Sequence, residues 1–410
     1  MKIFITGLCM QGNKGGPALA LSLVHQISKY CEGVQFSFSV PRDEVEFELE
    51  KVWGKKYGFE VVRSVGGKHL VPPFRFLSGR NKVFREWVKC LKSSDVLLEM
   101  SAICYVGPPI NNARGSVGRH ILYWLAKFYH RPMIPWTQSY GPFSTWLIRL
   151  MAKIDLSSNP IVLCRGEYCR EAVQKLLPQI KAMSFPDVAT VLPYDKNDGL
   201  RYISKNLTLN YKSFVTVSPS AVLYSRSEGQ GKNNKHINQM RELCLYIYSQ
   251  GYDVVLVPHS LYPKKNTPNK CDYIVCEEVK ACLSELENIH IIKENLSPIE
   301  LKSIISNAVS HIGARYHSVV AALSSGVPAV SLSWHPKYKD LMHTYDMENF
   351  VFDAINETNI DLLKLKVDEM FRNNQTLRKN LANIQFDIVK EVDKNTEIWL
   401  DLYSEKKNEM

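Results

Sequence analysis

The sequence predicts an α/β protein built from two Rossmann-like, doubly wound domains that face each other across a cleft. Short apolar stretches typical of buried strands alternate with stretches of helical periodicity, which is the pattern of a parallel sheet covered by helices. A polar stretch, residues 193–206, interrupts this alternation and is interpreted as a linker. The length of 410 residues exceeds what one ordinary hydrophobic core accommodates, so two domains are expected.

The first domain is predicted to span residues 1–195. It begins with a strand at 2–6, and a glycine-rich loop at 7–16 leads into a helix at 17–30. Such a loop lets the backbone approach a ligand, but a tight turn without a ligand is the alternative, since neither G-x-G-x-x-G nor a P-loop is present. Further strands are predicted at 35–40, 95–100, 132–138 and 161–164, and further helices at 117–129, from 144 onward and at 167–177.

The second domain, residues 208–375, repeats the alternation. Its strands are predicted at 214–218, 253–258, 289–292, 308–312, 329–332 and 349–353. Its helices are predicted at 235–249, 271–286, 298–306 and 336–345, together with one that Arg315 opens and Gly326 ends. Residues 376–410 are expected to form a helical tail that packs back on the first domain.

The charge balance calls for an anionic partner, because 51 Lys and Arg against 41 Asp and Glu give a net charge of +10. The basic residues are scattered, so no nucleic-acid partner is expected. Anionic small molecules fit, and so does a membrane surface that carries a lipid-linked substrate. No run of 18 apolar residues and no signal peptide is found, which predicts a cytoplasmic location and leaves peripheral association with the inner face of the membrane open.

Neither a metal nor a cofactor is expected. Ten cysteines include two pairs, Cys164 with Cys169 and Cys271 with Cys276, whose C-x4-C spacing is wider than that of most zinc knuckles. Reduced, buried thiols are the favoured interpretation. No Ser-His-Asp order, H-E-x-x-H or Asp-x-Asp pair stands out, which disfavours hydrolases and metal-dependent enzymes.

The strongest functional signal lies between residues 304 and 340. Arg315 and His317 open a helix just past the carboxyl end of a strand, where open α/β sheets bind ligands. Backbone N–H groups and the macrodipole favour an anion there and disfavour a cationic side chain by about 0.3–1 kcal/mol. An arginine at such a position therefore indicates an anion-binding role. For His317, a buried structural histidine is the alternative.

Other strand-end loops would bring further polar side chains to the cleft. These side chains are Asn13, Ser101, Gln138, Tyr140, Arg165, Ser218, His259, His335 and Lys337. Fixed cations, with histidines that can donate a proton near neutrality, suit a ligand that carries both phosphate and carboxylate. A surface arginine is the alternative for Arg165, and a strand-end cap is the alternative for His259.

These motifs resemble those of a known family. Gly-Ala-Arg-Tyr-His-Ser at 313–318, followed by Ala-Ala-Leu-Ser-Ser-Gly-Val-Pro-Ala-Val and Lys337, closely resembles the polysaccharide pyruvyl transferase family. Gly-Asn-Lys-Gly-Gly-Pro-Ala at 12–18 resembles its Asn-x-Gly-Asp-x-Ala loop, and Gln-Ser-Tyr-Gly-Pro-Phe at 138–143 its Gln-Ser-x-Gly-Pro-Phe turn. Residues 162–167, 186–187 and 257–259 also fit, so that the resemblance covers about residues 1–345. Gly16 departs from the pattern where the family often has Asp, and residues 101–102 depart where many members carry glycines.

The resemblance implies a GT-B-like fold and the transfer of pyruvate from phosphoenolpyruvate (PEP) to two hydroxyls of a sugar. The acceptor would be a glycan or lipid-linked oligosaccharide, with no cofactor. Arg165, Arg315 and His317 are the implied PEP contacts, with Lys337 and His335 as helpers and His317 as the candidate acid. Asn13, Gly15, Gln138, Tyr140 and His259 are assigned to the acceptor side or its loops, and loops 66–79 and 101–118 are expected to select the acceptor. A nucleotide-sugar glycosyltransferase and a non-catalytic glycan-binding relative remain alternatives.

Overall fold

A computed structural model describes residues 1–40, 44–63, 82–106, 110–211, 213–261, 271–335, 337–357 and 359–409. They form two compact units. Unit 1 comprises Met1–Met10, Leu23–Val188 and Lys390–Met410, and unit 2 comprises Gln11–Ser22 and Ala189–Val389. The domain boundaries given by the sequence analysis, 1–195, 208–375 and 376–410, stay predictions. The loop at 66–79 lies outside the described residues.

Unit 1 is built on a sheet of five parallel strands. Their spatial order is β4 (Glu60–Arg63), β3 (Gln35–Val40), β1 (Lys2–Thr6), β5 (Val96–Glu99) and β7 (Met133–Pro135). The chain thus adds strands first on one side of β1 and then on the other, which is the predicted doubly wound arrangement. Short strands β6 (Ile103–Cys104) and β8 (Ser139–Tyr140) pair with each other, as do the parallel strands β9 (Ile161–Arg165) and β10 (Lys181–Phe185).

Helices cover this sheet, with Trp87 packed against Phe4 at a ring-centroid distance of 5.2 Å. The helices of unit 1 are α2 (Glu44–Tyr57), α3 (Lys82–Ser93), α4 (Ile110–Phe128), α5 (Trp146–Leu156) and α6 (Glu167–Leu176). The last residues of α1 (Gly15–Ser28) also belong to this unit. Helix α4 starts at Ile110, although the sequence analysis expected a loop as far as residue 118. Two asparagines and Gly115 are poor helix formers, and their intrinsic preference does not decide the structure here.

Unit 2 carries a parallel sheet of six strands with the order of a dinucleotide-binding fold. From edge to edge these strands are β14 (Ile289–Ile291), β12 (Asp253–Leu256), β11 (Phe214–Ser218), β15 (His311–Gly313), β16 (Ala329–Ser333) and β17 (Val351–Asp353). A separate antiparallel pair joins β2 (Gly12–Asn13) to β13 (Ser260–Leu261). The helices are α7 (Lys196–Asn206), α8 (Ala221–Arg226), α9 (Lys235–Ser249), α10 (Asp272–Ala281), α11 (Pro298–Ile305), α12 (Tyr316–Leu323), α13 (Lys337–Thr344) and α14 (Ile360–Arg372).

The interpretation of residues 193–206 as a linker is wrong. Lys196–Asn206 forms α7, which begins at an Asp195 cap that accepts a hydrogen bond from the backbone of Asn197. The helix packs so closely on α11 that a Cβ built on Gly199 would lie 2.1 Å from the Ser303 carbonyl oxygen. Its buried residues are Gly199 and Ile203 and not a longer apolar stripe, so hydrophobic periodicity did not reveal it.

The strand before the strongest motif also differs from the prediction. Strand β15 runs from His311 to Gly313, whereas the sequence analysis placed it at 308–312 and ended it at the glycine. A Cβ on Gly313 would lie within 2.7 Å of side-chain atoms of His311, Ser318 and Val319. The glycine therefore lets α12 pack against the end of the strand, and it does not break the strand.

The last helix, α15 (Asn374–Asn408), contributes residues to both units. In unit 2, the Arg378 guanidinium donates to the carbonyls of Ala308 and Val309. In unit 1, the Trp399 ring lies 5.8 Å from that of Trp136. Among the described residues, no helix has both the length and the apolar character needed to cross a bilayer.

Candidate active site

The strand order of unit 2 marks one place for a ligand. Strands β11 and β15 are neighbours, and the chain winds away from them in opposite directions, which opens a crevice at their carboxyl ends. Ser218 ends β11 and pairs with Gly313 at the end of β15. The residues that follow β15 are Ala314 and Arg315, so the predicted anion site lies at this switch point.

Arg315 is held by a buried carboxylate. It is the N-cap residue of α12, with φ −111° and ψ 125°. Its Nε donates to Asp272 Oδ2 at 2.8 Å and its Nη2 to Asp272 Oδ1 at 2.5 Å, and the side chain is 11% exposed. The cation at the helix start is therefore balanced within the protein, and the macrodipole argument alone overstated how much it needs an external anion.

Asp272 also organises the surrounding backbone. Besides Arg315, its carboxylate accepts hydrogen bonds from the backbone N–H of Ala221 at 2.8 Å and of His259 at 3.2 Å. It fixes the start of α8 and the loop after β12 in relation to Arg315. Asp272 was not predicted from the sequence. The available signal was its place in the first turn of a helix, where acidic residues favour the helix dipole.

The start of α1 lies against His317. A Cβ built on Gly15 would lie 2.3 Å from His317 Nδ1, so only glycine allows this approach. Asn13 Oδ1 accepts a hydrogen bond from the Gly15 backbone N–H at 3.0 Å. The N-termini of α1 and α12 thus lie close together, and helix N-termini favour anions.

Lys14 is a buried cation that the sequence analysis did not single out. Its Nζ donates to Asn295 Oδ1 at 2.5 Å, and its backbone N–H donates to the His259 carbonyl at 2.9 Å. Burial lowers the pKa of Lys14 to about 8, and the charge of Glu300 opposes part of that shift. An anionic ligand in this region would stabilise its charged form.

His259 is kept neutral near physiological pH. Burial lowers its pKa well below the ordinary value, and the neighbouring His311, His317 and Lys14 lower it further. Its Nδ1 lies 3.4 Å from Ser218 Oγ. The backbone of His259 therefore links Asp272 to Lys14, because its N–H donates to the Asp272 carboxylate and its carbonyl accepts from the Lys14 N–H. The ring of His259 is uncharged.

Lys337 and His335 lie at the start of α13. Lys337 Nζ lies 4.9, 5.5 and 5.8 Å from the ring centroids of Tyr316, Trp334 and Tyr338. The His335 ring accepts a hydrogen bond from the Lys337 backbone N–H at 3.3 Å and is exposed. The aromatic rings stabilise the ammonium of Lys337 by cation–π attraction.

Arg165 lies in unit 1 at the end of β9. Its guanidinium donates to Asp187 Oδ2 at 2.8 Å, to Ser139 Oγ at 3.1 Å and to the Ala102 carbonyl at 2.7 Å. The side chain is 6% exposed. It is a buried, paired arginine and not a surface one.

A second buried ion pair lies at the switch point of unit 1, between β1 and β5. The Glu99 carboxylate pairs with Arg119 at 3.0 Å and accepts a hydrogen bond from Gln138 Nε2 at 2.5 Å. Gln138 also donates to the Tyr140 hydroxyl at 3.2 Å. Gln138 and Tyr140 were predicted from the sequence. Glu99 and Arg119 were not, because Glu99 lies within an apolar strand pattern and Arg119 within a helix pattern.

The structure thus sorts the predicted residues by unit. Unit 2 brings Asn13, Gly15, His259, Arg315 and His317 together, with His335 and Lys337 at the start of α13, and unit 1 holds Arg165, Gln138 and Tyr140. Their functional roles stay predictions. Among the described residues, no group of three or more His, Cys, Asp or Glu is placed to hold a metal ion.

Comparison with solved structures gives the fold. The UDP-GlcNAc 2-epimerase from Neisseria meningitidis has a TM-score of 0.57 at 10% identity and covers 98% of this chain and 99% of its own. The Methanocaldococcus jannaschii UDP-GlcNAc 2-epimerase in complex with UDP-GlcNAc and UDP has a TM-score of 0.56 at 12% identity, and the match covers 90% of this chain and 93% of that one. Glycyrrhiza uralensis UGT73P12 has a TM-score of 0.58 at 10% identity, and the match covers 100% of this chain and 97% of that one. At such identities the likeness shows the fold alone, and it confirms the predicted GT-B fold class.

Comparison by sequence gives the family. No curated protein matches the chain. A family model described as polysaccharide pyruvyl transferase matches residues 13–336, most of the 410-residue chain. This range begins at Asn13 beside the start of α1 and includes Arg165, His259, Arg315 and His317. The chain belongs to the polysaccharide pyruvyl transferase family.

Proposed function

We propose that the protein is a ketal-forming pyruvyltransferase. It takes the three-carbon unit of PEP, joins it to two hydroxyls of one sugar in a polysaccharide or lipid-linked oligosaccharide precursor, and releases phosphate. The observation that carries this proposal is the convergence of the α1 and α12 N-termini on Gly15 and His317, with Arg315 and Lys14 beside them. A cytoplasmic location and the identity of the acceptor stay predictions.

The donor has the charge that this part of unit 2 favours. PEP carries a phosphate dianion and a carboxylate on adjacent positions. Arg315 offers a planar fork to either group, and the backbone N–H groups of two helix starts favour phosphate oxygens. Lys14 adds a cation whose charged form an anion would stabilise. Because Asp272 already fixes the Arg315 guanidinium, the ligand meets a cation in one orientation.

The chemistry needs one proton donor on the donor side. A proton is added to the methylene carbon of PEP, and the positive charge that develops at C2 is captured by a first sugar hydroxyl, which loses its proton. The C2–O bond to phosphate then breaks, and a second hydroxyl attacks C2 and loses its proton. The phosphate takes up one proton, so that two hydroxyl protons replace the two consumed.

His317 is the proposed acid. Three histidines were predicted for the site, and two of them are less suited to this role. His259 has a pKa well below the ordinary value because it is buried, so its ring is neutral near neutral pH and is a poor proton donor. His335 is exposed at the start of α13. His317 lies at the start of α12 beside Gly15 and near Arg315 in sequence. Arg315 and Lys14 would stabilise the leaving phosphate, with Lys337 as a further cation.

The test is turnover with PEP and a panel of lipid-linked oligosaccharides. We expect phosphate release in step with a mass gain of one ketal-linked pyruvate, and in heavy water the ketal methyl group should carry one deuterium. Turnover of a nucleotide sugar, with no phosphate released from PEP on any acceptor, would instead support a glycosyltransferase. Binding of a glycan without turnover of either donor would support a non-catalytic relative.

A further inference from the structure

Helix α5 is apolar on two opposite sides. Its buried side faces the core of unit 1 with Ile148, Met151, Ala152 and Leu156. On the other side, Trp146, Leu150 and Ile154 recur every fourth residue and are 74%, 47% and 49% exposed. A surface helix of a globular protein normally carries polar residues there. The exposed side of α5 is therefore built to meet something other than water.

The apolar surface continues onto α4. Trp124 and Phe128, one helical turn apart, are 58% and 73% exposed. Trp124 and Ile154 line the same cavity of about 480 Å3, which makes the two helices one surface. We call Trp124, Phe128, Trp146, Leu147, Leu150 and Ile154 the α4–α5 face. Contiguous apolar surface of this kind marks an interaction site, whereas single exposed apolar residues do not.

Cations outnumber acids around this face, since the cavity that Trp124 and Ile154 share is lined by Lys127, Arg131 and Lys406 against Asp155 and Glu409. Arg149 and Lys153 of α5 and Lys175 of α6 line a groove of about 600 Å3 together with Trp146 and Leu150, and none of the described residues that line it is Asp or Glu. The one acid of α5, Asp155, is buried and hydrogen bonded to Tyr105 and His120. The exposed surface of α5 is thus tryptophan, aliphatic and basic.

We propose that the α4–α5 face docks on an anionic lipid bilayer. Tryptophan and leucine side chains partition into the boundary between headgroups and acyl chains, and flanking Lys and Arg bind lipid phosphates. The three cations of the groove lie beside Trp146 and Leu150, the residues that would enter the bilayer. This inference goes beyond the proposed transfer reaction, which does not depend on it.

The experiment is vesicle flotation of the full chain. Vesicles of phosphatidylcholine alone are compared with vesicles that also contain phosphatidylglycerol, at low and at high salt. We expect binding to the anionic vesicles only, weakened by salt. Changing Arg149, Lys153 and Lys175 together to Gln should lower partitioning by about a hundredfold, since each cation near an anionic surface contributes about fivefold. The triple variant Trp146→Ser, Leu150→Ser, Ile154→Ser should lose binding even at low salt.

Matched variants in unit 2 serve as controls. Lys205→Gln, Lys232→Gln and Lys379→Gln remove the same charge from exposed positions, and Leu362→Ser with Leu365→Ser removes exposed leucines. These variants should bind like the unchanged protein. Absence of binding to anionic vesicles, or equal losses in the controls, would contradict the proposal. So would a concentration-dependent dimer in light scattering that the Trp146 triple variant abolishes, because a second copy would then cover the face.

A separate readout keeps this proposal apart from the enzymatic one. Phosphate release with a water-soluble acceptor analogue should be the same in the Trp146 triple variant and in the unchanged protein. Loss of vesicle binding with retained phosphate release is the expected pattern. Loss of phosphate release in a variant that stays folded by circular dichroism would show that the face serves the transfer site, and it would overturn the membrane assignment.

Discussion

The carboxylate of Asp272 accepts two hydrogen bonds from the guanidinium of Arg315, at 2.8 and 2.5 Å, and Asp272 is fully buried. This pair determines how the anion site of unit 2 can be built and tested. Arg315 is oriented before any ligand arrives, so the ordering of its side chain is completed during folding and not during binding. It also means that Arg315 supports the fold, and a simple alanine substitution does not isolate its role.

The first prediction concerns this pair. Arg315→Ala should abolish transfer and also lower the free energy of unfolding by about 3–5 kcal/mol, because it leaves the Asp272 charge buried without its partner. The double variant Arg315→Met with Asp272→Asn should recover much of that stability and stay inactive. Urea unfolding and phosphate release measure the two effects. The exposed pair Arg201 and Asp198 is the control, where Arg201→Ala should change stability by less than about 0.5 kcal/mol.

The pairing of Arg315 with Asp272 shows where sequence reasoning stopped. Residues next to each other in the chain revealed the strand, the turn and the helix start, and so placed Arg315 and His317 at a strand end. Asp272 is 43 positions from Arg315 in sequence, and its partnership depends on how α10 and α12 lie in the fold. A local sequence pattern shows where a charged residue lies along the chain. Which buried residue of opposite charge pairs with it depends on tertiary packing.

The parallel sheets were the most predictable part of the fold. Strands such as Val96–Glu99 and Asp253–Leu256 each contain three consecutive apolar residues and are buried along their whole length, because strands buried on both faces need no alternation. The exact extent of β15 was less predictable, since a glycine that breaks an isolated pattern can instead allow a close helix contact. Glu99 and Arg119 were missed for a related reason, because their pairing neutralises charges that sequence alone would place in water.

The second prediction tests the approach of α1 to α12. Gly15→Ala would place a methyl group 2.3 Å from His317 Nδ1, so the ring must move or the helix start must shift. We expect transfer to fall by at least about tenfold, since a displacement near 1 Å in a reacting group costs up to about a hundredfold in rate. In a His317→Ala background the same methyl group should have a much smaller effect on stability. An equal loss of stability in both backgrounds would show that the ring is not what the methyl group meets.

The third prediction uses the lowered pKa of Lys14, which is about 8. If Lys14 binds the donor as a cation, kcat/KM for PEP should fall as pH rises through about 8, because the free enzyme loses that charge. Lys14→Arg keeps the charge and should move the fall to higher pH. Lys14→Met should lower kcat/KM at neutral pH and remove this step. An unchanged pH profile in the arginine variant would exclude Lys14 as its source.

The same residue should act on stability with the opposite sign. Between pH 8 and the unfolded-state value of 10.5, the unfolded chain holds the Lys14 proton and the folded protein has released it. Stability rises with pH wherever the unfolded state binds more protons, so the contribution of Lys14 should become more favourable across this window. The difference in unfolding free energy between the unchanged protein and Lys14→Met isolates it. Burial also lowers the pKa of Lys302, to about 7. The contribution of Lys302 to the pH dependence cancels in this difference, because both proteins contain it.

The fourth prediction tests the helix that the sequence analysis interpreted as a linker. Gly199→Ala adds a methyl group that would lie 2.1 Å from the backbone carbonyl oxygen of Ser303, and backbone atoms cannot turn aside as a flexible side chain can. Overpacking of this kind costs about 1–3 kcal/mol, which should appear as a lower urea midpoint. Lys205→Ala, on the same helix and exposed, should change stability by less than about 0.5 kcal/mol. Since alanine has a higher helix propensity than glycine, a loose polar linker or a freely exposed helix would tolerate or gain from Gly199→Ala. A clear loss at Gly199 together with neutrality at Lys205 would therefore establish that α7 is packed on α11, and equal neutrality at both positions would contradict it.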